Sequence, residues 1–311
     1  MSTKKHKTPR VVQLIASCAA GLLVLAGCAG PAQADQAQIV VTTNILGDVV
    51  TQIAGDQAEV TVLMQANADP HSFGISAQQA AKMQQADLIV SNGAGLEEGL
   101  ATNLEQANAA DTTLFEAMDH LEPLDYAAQA DHQGADPHFW TDPQRMDQVV
   151  QALGQELENL PGINSELLQQ SVTEYRGELT ALDLALAEDF AQIDEQKRAL
   201  VTNHHVFGYL ADRYDFRLIG AVIPGGSTLA SPSAADLREL TDAIESSGVR
   251  AIFAETSQPE KLIQALASEA GTQVSVQTLF TESLSEPGQG AGTYLEMMRT
   301  NAQRITDGLS N

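Results

Sequence analysis

Two of the seven histidines in this 311-residue chain stand behind the same tripeptide, in "NADPHSF" (67–73) and again in "GADPHFWTDP" (134–143). Imidazole is both a general base and the commonest side-chain metal ligand, so the repeat raises the question whether His71 and His138 act together. They lie 67 positions apart, too far for one local metal knuckle, and only a fold that joins two distant loops can unite them. His204, in "VTNHHVFGYLADRY" (201–214), and Glu282, in "LFTESLSEPGQGAGTYLEMMRTN" (279–301), each follow a β-branched run. Glu255 also ends such a run, so the carboxylate that joins the imidazoles is Glu282, Glu255 or neither, with water in its place.

The elements that must position these groups are legible as alternation. Apolar, β-branched runs occur at 38–44, 58–64, 87–91 and 112–117, with helix-periodic stretches such as 45–55 and 76–86 between them. The scheme repeats at 198–203, 217–222, 250–255 and 273–278. Strands separated by helices read as βαβ units with mainly parallel sheets. Four strands in each half predict two (β/α)4-type domains, 38–160 and 197–311, each burying a core of its own.

Between the halves, Ile163, Leu167, Val172, Tyr175, Leu179, Leu182, Leu186, Phe190 and Ile193 recur at gaps of three to five. That spacing predicts one apolar stripe on a rigid helix about 45 Å long, within a linking segment 161–196. A helix restricts hinge motion more than a loop would. All four candidate donors then lie beyond carboxyl ends of strands, where open α/β sheets carry their ligands, and two come from each half. A cleft between the domains is where they would meet.

The amino terminus fixes the compartment. Lys4, Lys5, Lys7 and Arg10 precede an apolar run from Val11 to Ala26 and then Gly27-Cys28, the layout of a secretory signal peptide over 1–27. The ending "LAGC" resembles the lipobox of bacterial lipoproteins, which implies cleavage before Cys28, a lipid on its sulfur and a tether over 28–37. An uncleaved membrane helix is the alternative, weakened by Gln13 and several small residues. Cys18 would leave with the signal, so the mature chain carries no disulfide. Removing 1–27 takes four basic and no acidic residues, leaving 12 Lys and Arg against 41 Asp and Glu, a formal charge of −29. Such a surface repels nucleic acid and anionic lipid and attracts cations, although solubility alone accounts for most of it.

The combination "DPHSF", "DPHFW", "VTNHHVFGYLADRY" and "LFTESLSEPGQGAGTYLEMMRTN" resembles the ZnuA/TroA-type zinc- and manganese-binding lipoproteins that feed metal-importing ABC transporters. The resemblance covers nearly the whole chain and rests on the ordered set rather than on any one piece. It implies two α/β domains on a backbone helix, a divalent metal between them and a membrane permease as partner. It also implies a lipid-anchored, extracytoplasmic monomer, with a metallochaperone as candidate donor. The family's first two ligands fall on His71 and His138. Its third, histidine in zinc members and often glutamate in manganese members, falls on His204, which points to Zn(II). Its fourth, usually aspartate, falls on Glu282.

Three departures accompany the match. Glu282 is longer than the usual aspartate, His205 stands beside His204, and no long histidine-rich loop is present. The stretch 118–136 offers only His120 and His132, with Asp119, Asp125, Asp131 and Asp136. Glu255 is expected to orient a ligand from outside the metal's own shell. His205, His120 and His132 are expected to be structural or solvated, and Phe73, Phe139, Trp140 and Phe207 to wall the site. A manganese- or iron-binding relative is the near alternative. A zinc hydrolase is the distant one, disfavoured because catalytic zinc keeps an open position and no His-Glu-x-x-His is present. Neither a phosphate loop at the Gly-Gly-Ser of 225–227 nor a dinucleotide fingerprint fits, so no nucleotide site is expected.

Overall fold

A computed structural model describes residues 36–110, 112–126, 134–223, 226–258, 261–269 and 274–310. The expected signal peptide, Cys28 and His132 lie outside the described residues. Four parallel strands, β1 (Ala37–Val41), β2 (Ala58–Val62), β3 (Leu88–Ser91) and β4 (Leu114–Glu116), form a sheet in the order β2-β1-β3-β4. A second parallel sheet of β5 (Ala199–Thr202), β6 (Arg217–Ala221), β7 (Ala251–Glu255) and β8 (Ser275–Leu279) repeats that topology as β6-β5-β7-β8. Two α/β domains result. β1 begins at Ala37, one residue inside the stretch expected to be tether.

Parallel strands covered on both faces need unbroken apolar runs rather than alternation. Every residue of β3, β5 and β7 is buried, and their sequences are LIVS, ALVT and AIFAE. The edge strands β2 and β6 are only partly covered. Strand order reverses between β1 and β3 and again between β5 and β7. At such a switch point the loops diverge and leave a crevice at the carboxyl ends of the strands.

The helices of the first domain are α1 (Asn44–Ala54), α2 (Ala77–Met83) and α3 (Ala101–Ala109), followed by α4 (Pro143–Leu157) and the long α5 (Ser165–Phe190). The second domain adds α6 (Gly208–Tyr214), α7 (Ala234–Ser247), α8 (Lys261–Glu269) and α9 (Tyr294–Ser310). Asn164 caps α5, its side chain accepting from the Leu167 N–H at 3.1 Å. The 26 residues span about 39 Å. Leu168, Val172, Tyr175, Leu179, Leu182, Leu186 and Phe190 form the buried stripe, whereas Leu167, expected on it, faces outward and is exposed. Ile163 and Ile193 fall beyond its two ends yet still pack into the core.

The expectation of two separate cores is corrected. One contiguous apolar cluster runs from Ile39, Val49 and Val90 through Leu179 and Leu186 to Leu200, Phe253 and Ile305. The cause is α5, which packs against α1 and α4 of the first half and α9 of the second, so the helical layer is common to both. Smaller clusters serve the outer faces alone, around Ile89 and Met83 in one domain and Val201 and Ile252 in the other. Asp183, buried in α5, pins three helices by accepting from Arg213 (2.6 and 3.0 Å), Tyr214 (2.9 Å) and Gln144 (3.2 Å).

Candidate metal centre

His71, His138, His204 and Glu282 converge at the crevice, each buried, with one donor atom apiece lying within 4.8 Å of the others. His71 leaves the loop after β2, His138 the loop after β4, His204 the end of β5 and Glu282 the end of β8. The ring centroids of the three histidines are 5.2–5.7 Å apart. Their Nε2 atoms face one oxygen, Glu282 Oε1, at 3.0 Å from His71, 3.1 Å from His204 and 3.5 Å from His138. Among the described residues this is the grouping of histidine and carboxylate donors that fits around a single ion.

The far side of two rings is held by buried carboxylates. Asp136 Oδ1 accepts from the His138 backbone N–H at 3.0 Å and from its Nδ1 at 2.7 Å. Glu255 Oε1 does the same for His204, at 3.1 and 2.7 Å. Each carboxylate thereby fixes both the backbone and the rotation of its ring, leaving Nε2 aimed inward. The duplicated Asp-Pro-His is not duplicated in function. Asp69 Oδ1 accepts the His71 backbone N–H at 2.9 Å, but its Oδ2 turns away to Ser72 (3.1 Å), Thr228 (2.7 Å) and Gln258 (2.9 Å). Thr228 and Gln258 belong to the second domain, so this aspartate spans the crevice instead of steering a ring.

The Glu282 loop is stitched to both domains. Thr281 donates its hydroxyl to Glu255 Oε2 at 3.1 Å, and its carbonyl accepts from the Trp140 indole at 2.8 Å. Asn44, at the start of α1, accepts the Leu284 N–H at 2.9 Å and donates to the Ser283 hydroxyl at 2.8 Å. The first turn of α9 reaches the same domain, where Asp48 accepts the Tyr294 N–H at 2.8 Å. The carboxylate is therefore carried by a fixed loop.

The family model described as "ZnuA: Zinc-uptake complex component A periplasmic" matches residues 39–308. The chain belongs to this family. The zinc-binding protein TroA of Treponema pallidum (strain Nichols) is 30% identical over 285 residues, covering 90% of this chain and 91% of that protein. The solved structure of the periplasmic zinc binding protein TroA from that organism matches with a TM-score of 0.78 at 25% identity, over 89% of this chain and 100% of that one. The manganese-binding lipoprotein MntA of Bacillus subtilis (strain 168) is 29% identical over 308 residues, 95% of this chain and 98% of that protein. The zinc-binding lipoprotein AdcA of Streptococcus pneumoniae (serotype 4, strain ATCC BAA-334 / TIGR4) is 30% identical, and the chain spans 60% of its length. As a ZnuA-family protein the chain is the extracytoplasmic, metal-binding component of ABC metal import. Zinc and manganese relatives stand at similar identity, so relatedness does not select the metal.

The electrostatics of this ZnuA-family centre follow from its carboxylates. Burial opposes charge on the His204 ring, but Glu255 and then Glu282 outweigh it and hold its pKa well above the usual imidazole value. Both ring nitrogens face oxygens that only accept, so in the metal-free protein both carry protons. Burial likewise opposes charge on His138, and Asp136 overturns it, raising the pKa. For Glu282 burial acts upward, yet the charge of His204, the hydrogen bonds from His204 and His71 and the close approach of His138 leave it well below the ordinary range. The carboxylate is thus ionised, while His204 and His138 hold protons that an arriving cation must displace.

The remaining sequence candidates take lesser places. His205 is half-buried, its pKa lowered by burial and by His204. His120 is exposed and stacks on Phe115 at 4.3 Å. Phe139, Trp140 and Phe207 are buried in the main core beside the site, whereas Phe73 belongs to the outer cluster of the first domain. Sequence reasoning did not single out Asp136 as a ring partner, although its place two residues before His138 in the repeated motif was the available signal. It also passed over Glu98, which nothing local marks.

Proposed function

We infer that this chain captures Zn(II) with Nε2 of His71, His138 and His204 and the carboxylate of Glu282, then releases it to the permease of an ABC importer. The convergence of three buried imidazole nitrogens on one ionised carboxylate oxygen carries the reading. Three nitrogens and one oxygen make the four-coordinate, borderline-soft set that suits zinc, while manganese favours more oxygen donors and stands lower in the affinity order. The donor set also fits a cation by its accounts of satisfaction: His138 Nε2 and Glu282 Oε2 are buried without a hydrogen-bond partner. Four protein donors leave no open position for a reacting water, which favours carriage over hydrolysis. On this reading residues 38–160 and 197–311 are the two lobes, 161–196 the strut between them, and Cys28 the lipid-bearing anchor.

The test is a competition titration of zinc against manganese on the wild type and on His204→Glu. Wild type is expected to hold zinc far more tightly, and the substitution to narrow the gap by weakening zinc. Equal affinity for the two metals in the wild type sinks the zinc assignment and leaves the manganese- or iron-binding alternative, for which the MntA relationship speaks. Turnover of ester or peptide substrates that disappears in His138→Ala would argue for the hydrolase.

A further inference from the structure

His71 differs from its two partners on the side away from the centre. Its side chain is 2% exposed, and its Nδ1 has no hydrogen-bond partner. The nearest acceptor is Glu98 Oε1 at 3.6 Å, just beyond hydrogen-bond range. Glu98 opens a short 3-10 turn (Glu98–Leu100) held on the His71 loop by a bond from the Gly99 N–H to the His71 carbonyl at 3.2 Å. A Cβ at position 99 would meet the Phe73 carbonyl oxygen at 2.3 Å, so glycine is what permits this approach. The same Oε1 accepts the Ser227 hydroxyl at 2.5 Å from the second domain. One residue on, Thr228 bonds Asp69 of the His71 loop at 2.7 Å. A cavity of about 320 Å³, lined by His71, Gly95, Glu98, Tyr126, Pro137 and Ser227 among others, opens at this point.

We propose that Glu98 is the positioning carboxylate of His71, the counterpart of Asp136 and Glu255, and that its shared oxygen ties His71 to the 226–228 strap of the opposite lobe and so governs metal release. A carboxylate oxygen accepts two hydrogen bonds, and an approach of under 1 Å brings Oε1 within reach of Nδ1–H without surrendering Ser227. Unlike the other two carboxylates, Glu98 has a side chain that is 42% exposed and lines the cavity. Of the three carboxylates behind the rings, it is the one whose ring-facing oxygen also accepts a side-chain bond from the opposite lobe. When the strap lifts, Ser227 and Thr228 leave, and His71 is the donor that loosens first.

This rests on the proposed zinc site, and the experiment separates the two. Zinc affinity by chelator competition and zinc release by stopped flow are measured for wild type, Glu98→Ala, Glu98→Gln, Ser227→Ala and the Glu98→Ala/Ser227→Ala double variant. Melting of the metal-free proteins and ring ¹⁵N spectra of the zinc-loaded ones accompany them. Glu98→Ala is expected to lose about ten- to a hundredfold in affinity, with Glu98→Gln recovering part of it. Ser227→Ala is expected to release zinc faster, and the double variant to be no worse than Glu98→Ala, since both act through one oxygen. In Glu98→Gln the Nδ1 signal of His71 should move while those of His138 and His204 stay. Wild-type affinity and release in Glu98→Ala, an additive double variant, or an unmoved His71 signal each overturns the proposal. A wild type that binds no zinc overturns the proposed function instead.

Discussion

Asp69 and Asp136 occupy equivalent places in a repeated tripeptide, so exchanging each for asparagine is a controlled comparison. Asp136→Asn keeps the size and one acceptor oxygen but removes the charge behind His138 Nδ1, 2.7 Å away. A hydrogen bond to a charged acceptor contributes about 1.5–3 kcal/mol and a neutral one about 0.5–1.5, so the change costs about 1–1.5 kcal/mol. That corresponds to a roughly five- to twelvefold weaker zinc Kd. The loss should be smaller at neutral pH than at alkaline pH. Asp136 raises the His138 pKa, and removing it also lowers the proton's competition for that ring. Asp69→Asn leaves ring orientation alone and instead disturbs the bonds to Thr228 and Gln258, so its cost in affinity should be the smaller of the two. Competition against a calibrated chelator at two pH values measures both. An Asp136→Asn protein that binds zinc like wild type, or an Asp69→Asn loss as large, refutes the assignment of roles.

Acid and alkali should act oppositely on the metal-free protein. The raised His204 and His138 contribute stability that is full below about pH 6.5 and is lost as pH climbs through their folded values, while the depressed Glu282 contributes above about pH 4.5. The apo Tm should therefore be highest between those limits and fall toward alkaline pH, where added zinc restores the most; an apo Tm flat from pH 6 to 9 contradicts this. Chelated protein should keep its helical circular dichroism and melt in one transition, because the core is continuous, and zinc at a thousand times its Kd should add about 4 kcal/mol. Two separate transitions would count against the shared core. Asp183→Ala should lose about 1–3 kcal/mol of stability by stranding Arg213 and Tyr214 while leaving zinc affinity unchanged, which denaturant melts and titration check together.

Both sheets were readable because strands buried on two faces demand runs such as "DLIVS" and "RAIFAE", and such runs are local. The α5 stripe was readable for the same reason, since its period is set by the helix itself. The donors were readable as a group through position, each beyond a strand end, and through the repeated tripeptide. What local pattern does not carry is which distant surface a face will meet. The stripe on α5 gave no sign that it would join both halves into one core. Asn44 pairs with Leu284 across 240 positions, and no periodicity announces such a clamp. For the same reason the two aspartates looked alike: their neighbours in sequence match, and their neighbours in space do not.

The span between donors has a consequence for when the centre exists at all. His71 and Glu282 are 211 positions apart, and Glu282 follows the last strand of the second sheet. Contacts of such long range form late, because the loop between them must be closed before they reward it. A chain threaded unfolded through a membrane holds its imidazoles as scattered side chains with no common grip. Closing the centre is thus tied to completing the core, since the residues that follow Glu282 build α9, the helix that packs on α5.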